Sequence, residues 1–249
     1  AKPAVVPTTL PRIAIGVIKS KSTASSAPEQ AVDIFTDTLI SRLTQTKRFQ
    51  VADRQEVDQL LTEQTLGALS SGKELASTVG TLKSVDYLAY GNLAVFEILE
   101  KKQQLSGSTR SLPTIKTGYV EGNIRIVDVK SGDIIESKKI SVRERLKSDL
   151  SGDQIIDVLA DRYAEQVTVT LMGAIYTIKV AAIGQDGTLY INRGNDGGLT
   201  IGEHLQVFRP GPPIIDPDTK IQLGVEEILV GEIILNDVIG ARSKAGSIS

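Results

Sequence analysis

The 249-residue chain has no cysteine and no tryptophan, and only one histidine and one methionine. Without cysteine there are no disulfides, no thiolate metal ligands and no thiol nucleophile. A lone histidine, His204, leaves no His pair for zinc, and nothing around it spells a Ser–His–acid arrangement. It reads as a structural residue on a strand. Aromatic residues are only 4% of the chain, so the core is to be built from Ile, Leu, Val and Ala. Neither charge sign dominates. Residues 174–249 hold 6 Lys/Arg against 9 Asp/Glu (−3), and the remainder holds 22 against 21 (+1). No part is basic enough to signal nucleic-acid binding. No apolar run approaches the ~20 residues of a transmembrane helix. The chain begins with Ala and a Pro-rich lead over 1–11. A signal peptide or lipid-anchor segment removed upstream accounts for that start, and a tag remnant accounts for it equally well.

What is present is a regular alternation of elements. Residues 12–18 (RIAIGVI) are apolar on both faces, as in a central strand. Ser26 and Glu29, with Pro28 between, have the spacing of a helix start. The helix they open runs to about residue 47, burying Val32, Phe35, Leu39 and Leu43. Residues 48–52 read as a short strand. Asp53 caps a second helix carrying Val57, Leu60 and Leu61, ended by Gly67, and 73–83 reads as a further short helix. Residues 86–100 are strand-rich. Residues 119–129 and 133–146 form a hairpin turned at 130–132, where Gly132 supplies a positive φ. A long helix spans 151–172, with Ile156, Leu159, Tyr163, Val167 and Leu171 as its core stripe. After Gly173 come short strands between Gly, Asn and Pro, at 176–183, 188–192, 204–209 and 228–236, a spacing that favours a small barrel or sandwich. Residues 241–249 are expected to be a mobile tail.

Three local patterns invite chemistry and are explained more simply. Residues 67–74 (GALSSGKE) nearly spell a phosphate-binding loop, but Glu74 stands where Ser or Thr must hold magnesium, and the segment follows a helix. Asn192, Asn195, Asp196, Asp216 and Asp218 have calcium-type oxygens without EF-hand spacing, and turn chemistry accounts for them. Asp157, Asp161 and Glu165 recur at every fourth position of the long helix, the pattern of a solvated face or one offered to a partner.

The pattern with a functional implication lies on the second hairpin strand. Lys139, Arg143, Arg145 and Lys147 share strand parity and project from one face, while Ile140, Val142 and Leu146 point to the core. Water solvates such a face, or an acidic partner covers it: the Asp157–Asp161–Glu165 face of a neighbouring copy, lipid phosphate, or peptidoglycan carboxylates. The first of these is a head-to-tail contact capable of closing a ring.

Three segments carry a family resemblance. They are 48–54 (RFQVADR) with Leu60, Leu61 and Glu63; 86–92 (DYLAYGN); and 125–129 (RIVDV) with 131–134 (SGDI). Their order and spacing resemble the periplasmic domain of the curli secretion channel family (CsgG-like), related to the amino-terminal domain of TolB-type proteins. Further on, 188–192 (TLYIN), Gly194, Gly197, Gly198, 201–203 (IGE) and 207–209 (VFR) resemble the small β-domain that ends flagellar assembly protein T. Asp216 to Thr219 and Gly231 to Ile233 continue that likeness. One departure concerns the channel. Its subunits lend hairpins of roughly 9–11-residue membrane strands to a barrel. Here 100–117 is polar, lacks aromatics and contains Pro113, and 136–152 has room for little beyond one strand.

The expectation is therefore an α/β (α+β) protein. Residues 12–173 form a two-layer CsgG/TolB-N-like domain, 174–240 a small SH3-like β-barrel domain. The resemblance implies no enzyme, no metal and no cofactor. It implies a periplasmic, possible outer-membrane-associated assembly component that partners itself and other envelope or flagellar proteins. The alternatives are a subunit of a curli-type secretion channel and a regulator docking on a peptidoglycan synthase.

Overall fold

The computed structural model describes residues 10–20, 29–53, 85–101 and 115–247. The expected helix that follows Asp53 and the one at 73–83, the near phosphate loop at 67–74, most of the 100–117 segment and nearly all of the 1–11 lead lie outside them. The chain divides into two units, Ala1–Ile175 and Tyr176–Ser249.

In the first unit, strands β1 (Arg12–Ser20), β2 (Gln50–Val51), β3 (Tyr87–Lys101), β4 (Ile115–Asp128) and β5 (Ile134–Leu146) make one sheet, ordered β2-β1-β3-β4-β5. β1 runs parallel to both neighbours, and β3, β4 and β5 are antiparallel. Ile13, Ala14 and Ile15 are all buried, which is why β1 shows no alternation. Helix α1 (Glu29–Gln45) and helix α2 (Gly152–Ile175) pack against each other and against the sheet. α1 buries Val32, Phe35, Leu39 and Leu43, each contributing about 1.5–3 kcal/mol relative to exposure. Its chain leaves through Lys47 at φ 54°, a left-handed exit of the kind glycine usually makes. α2 opens on a reciprocal cap: Gln154 N–H donates to Ser151 Oγ (3.4 Å), and Ser151 N–H donates to Gln154 Oε1 (3.0 Å). Its buried stripe includes Ile155, rather than the expected Ile156, with Leu159, Tyr163, Val167 and Leu171.

Two glycines on β4 let α2 approach the sheet. A Cβ on Gly118 would lie 2.8 Å from the Leu159 methyls, and one on Gly122 would lie 2.5 Å from the Tyr163 hydroxyl. Phe35 then meets Tyr163 edge-on at 5.5 Å and Phe96 at 6.4 Å. The β4–β5 turn is held by Asp128 Oδ1, which accepts the N–H groups of Lys130 (2.8 Å) and Ser131 (3.2 Å), and Gly132 adopts φ 79° as expected.

The second unit is an antiparallel sheet, an open half-barrel ordered β6-β7-β10-β9-β8. Its strands are β6 (Val180–Ile183), β7 (Leu189–Ile191), β8 (His204–Ile215), β9 (Gln222–Ile239) and β10 (Arg242–Ser247). Ile191, Leu199, Ile233, Leu235 and Ala245 form its core. The mobile tail expected at 241–249 is thus corrected: 242–247 is the middle strand of this sheet. Small residues hide that role. Ser243 and Ala245 are both 1% exposed, and the Ser243 hydroxyl donates to the Arg193 carbonyl at 2.7 Å. Ladders to two neighbours hold the strand without large side chains. β8 and β9 also run well past the expected 204–209 and 228–236. Pro210, Pro212 and Pro213 argue for an end to the strand, but β8 lies at the sheet edge, where a missing N–H costs no ladder bond.

Candidate interaction surface

β5 is the outermost strand of the first sheet, hydrogen-bonded to β4 alone among the described residues. Even-numbered positions of β4 from Gly118 to Ile126, and Ile140, Val142 and Leu146 of β5, are buried toward the helices. The alternation therefore turns Tyr119, Glu121 and Asn123 of β4, and Lys139, Ser141, Arg143 and Arg145 of β5, to the opposite face. The parity reading places three of its four basic residues correctly. Lys147 is the correction: β5 ends at Leu146, and Lys147 stands exposed just beyond the strand, outside its alternation. Ser148 and Asp149 form a turn there before α2 begins.

The basic residues differ in how they are held. Lys139 Nζ lies 2.7 Å from Glu121 Oε1, and Glu121 also accepts the Tyr119 hydroxyl. The Lys139 hydrogen bond, then the Tyr119 one, holds the Glu121 carboxyl below its ordinary range, and Lys139 is raised in return by Glu121. The Arg143 guanidinium sits over the Tyr119 ring, 5.7 Å from its centroid. Arg145 stands opposite Thr117. Among the described residues Arg145 and Lys147 have no ion-pair partner.

The acidic face of α2 is engaged differently. Arg42 of α1 places Nη1 2.7 Å from Asp161 and Nη2 3.3 Å from Glu165. Arg162 bridges Glu165 (3.1 Å) and Glu144 of β5 (3.0 Å). Asp161 and Glu165 thus tie α2 to α1, and Arg162 ties α2 to β5. Asp157 remains exposed, one turn earlier. Arg42 was not foreseen as their partner, since two residues 119 apart in sequence carry no local signal of contact.

The oxygen-rich turns serve as turns. Asp216 Oδ1 accepts the N–H groups of Asp218 and Thr219, each at 2.8 Å, and these bonds lower its carboxyl, Thr219 foremost. Asn192 Oδ1 accepts Lys179 N–H (2.7 Å), and its amide donates to the Thr177 carbonyl (3.1 Å). His204 is exposed, opposite Ile234. Among the described residues no group of three His, Asp or Glu side chains converges as a metal site. A cleft lined by Pro11, Asp86, Tyr87, Asp128 and Lys130 is an internal staple: Asp86 accepts Arg12 N–H (2.9 Å) and pairs with Lys130 Nζ (3.0 Å).

A five-stranded mixed sheet carrying, among the described residues, two helices, followed by an antiparallel half-barrel, defines a two-unit α+β protein whose notable side chains are surface charges. The chain belongs to the CsgG family: the model of the curli production assembly/transport component CsgG matches residues 2–182. Membership places it among envelope-associated assembly or secretion components. No curated protein matches the sequence. Three solved structures are similar at low identity. CT253 of Chlamydia trachomatis is 10% identical, over 68% of this chain and 99% of that one, at a TM-score of 0.48. Lipoprotein GNA1162 of Neisseria meningitidis is 15% identical over 63% and 97%, at 0.39. The PelC dodecamer of Paraburkholderia phytofirmans is 12% identical over 62% and 85%, at 0.35. Among the described residues no helix is long and apolar enough to cross a membrane.

Proposed function

We propose that this protein is a non-catalytic periplasmic component, associated with the outer membrane, that works as a ring of identical subunits in assembling an envelope machine. Family membership supports the envelope part of this reading. The resemblance of residues 188–233 to the domain ending flagellar assembly protein T supports the flagellar basal body as that machine. The observation that carries the subunit reading is the edge position of β5, which exposes Lys139, Arg143 and Arg145 on one face, with Lys147 beyond it. Like charges side by side repel, and an acidic neighbour relieves them. Asp157 of an adjacent copy, backed by Asp161 and Glu165, is the acceptor. No cofactor or metal takes part.

Light scattering across concentration, without detergent and at low and moderate salt, tests this. The expected result is a ring-sized particle that weakens with salt. Reversing Arg143 and Arg145 to Glu is expected to lower the mass with the circular dichroism unchanged, and an unchanged mass removes the basic face. Detergent-dependent rings that conduct would favour the secretion-channel alternative. A strict monomer that binds a peptidoglycan synthase would favour the regulator.

A further inference from the structure

The β8–β9 hairpin extends beyond the rest of its sheet. β10 pairs with β9 only as far as Ile233, so residues 222–232 of β9 have β8 on one side and no described strand on the other. At about 3.3 Å per residue this arm is roughly 35 Å long. An isolated two-stranded ribbon is marginal in water, yet this one exposes Phe208, Ile221, Leu223, Leu229 and Val230, with Leu223 66% and Val230 62% exposed. Large apolar residues left in water along a ribbon of this kind mark an interaction surface.

The two edges of the arm are unlike. The β8 edge carries Pro210, Pro212 and Pro213, which block strand addition. The β9 edge has no proline and no basic residue over 222–232, but carries Glu226, Glu227 and Glu232. The other unpaired edge described in this chain with the opposite charge is β5. It has no proline, and Lys138, Lys139, Arg143 and Arg145 stand against Glu136 and Glu144. An acidic open edge and a basic open edge of similar length are complementary.

We infer that the β9 edge of one copy adds antiparallel to the β5 edge of the next, extending that copy's five-stranded sheet by the hairpin. This rests on the proposed assembly of identical subunits and names a different acidic contributor for it. One register sets Glu226 opposite Lys139 and Glu227 opposite Lys138. The same register sets Val225 against Ile140. Glu226–Lys139 then lies on the outward face of β5, while Glu227–Lys138 and Val225–Ile140 lie on the face toward the helices. The contact is head-to-tail, using different surfaces of each copy, and so builds a ring or a filament.

The absence of cysteine makes the register directly testable. Ser137 and Ile228 stand opposite each other in it, within disulfide reach for directly paired strands. Ser137→Cys and Ile228→Cys are made as separate full-length variants and mixed under mild oxidation. The expected result is a heterodimeric cross-link from the mixture, exceeding either variant alone and exceeding Ser137→Cys mixed with Leu223→Cys. Alongside, Glu226→Lys with Glu227→Lys is expected to lower the mass in solution, and adding Lys138→Glu with Lys139→Glu is expected to restore it. Oligomers unaffected by the arm variant, or a cross-link without register preference, overturn the β9–β5 pairing while the assembly reading stands. A chain carrying both cysteines that cross-links only within itself overturns the second copy as occupant. A wild-type monomer at every concentration overturns the assembly reading together with this one.

Discussion

Gly122 is the position where the sheet and α2 leave least room. A Cβ there would lie 2.5 Å from the Asn92 carbonyl oxygen on β3 and 2.5 Å from the Tyr163 hydroxyl on α2. The first obstacle is backbone, which yields only if the strands separate. The second belongs to a side chain that is 1% exposed. Gly122→Ala therefore forces a shift on both sides, for which overpacking costs about 1–3 kcal/mol. Gly173, near the end of α2, is the matched control. Nothing lies within 4 Å of its added Cβ. Gly173→Ala is expected to stabilise by up to about 1 kcal/mol, because a helical glycine gives up more chain entropy than alanine. Both described helices belong to the first unit, so helical circular dichroism follows its unfolding in urea. With a slope of about 2 kcal/mol per molar urea, the midpoint falls by about 1 M for Gly122→Ala and rises for Gly173→Ala. Equal midpoints for the two variants would refute the claim that β4 glycines set the helix-to-sheet distance.

Three further outcomes follow from the same packing. Phe35→Ala, removing a ring 1% exposed that meets both Tyr163 and Phe96, should cost about 3–5 kcal/mol in the same urea assay. Arg42→Ala should cost no more than about 1 kcal/mol, since the bridge to Asp161 is partly exposed, and a double-mutant cycle with Asp161→Asn should show a coupling of that size that shrinks in salt. Asp86 is held below its ordinary value of 3.8, first by Arg12 N–H and then by Lys130. A lowered folded value favours the folded state above the unfolded value and loses that contribution as pH falls through the lowered one. The stability difference between wild type and Asp86→Asn should therefore be full at pH 6 and fade below about pH 4, whereas a pH-independent difference would contradict the assignment.

The parts of the fold with a strong local pattern were legible. The apolar run at 12–18, the helical stripe from Val32 to Leu43 and the Gly132 turn each have one physical reading, and the structure has them. Two signals misled. β10 is made of Arg, Ser, Lys, Ala and Gly, so its central place in a sheet comes from backbone pairing that no side-chain pattern records. The prolines of β8 mark an end in a central strand and are tolerated on an edge, and edge position is a property of the whole sheet. The basic parity on β5 was readable to Arg145. The partners of Asp161 and Glu165 were not, because Arg42 reaches them from another helix.

The mass of the full chain in detergent-free solution, compared with that of the Arg143→Glu, Arg145→Glu variant, bears most directly on an assembly subunit of the envelope. A salt-sensitive oligomer for the wild type and a smaller particle for the folded variant is the predicted result. A wild-type chain that stays monomeric at every concentration and salt would contradict it.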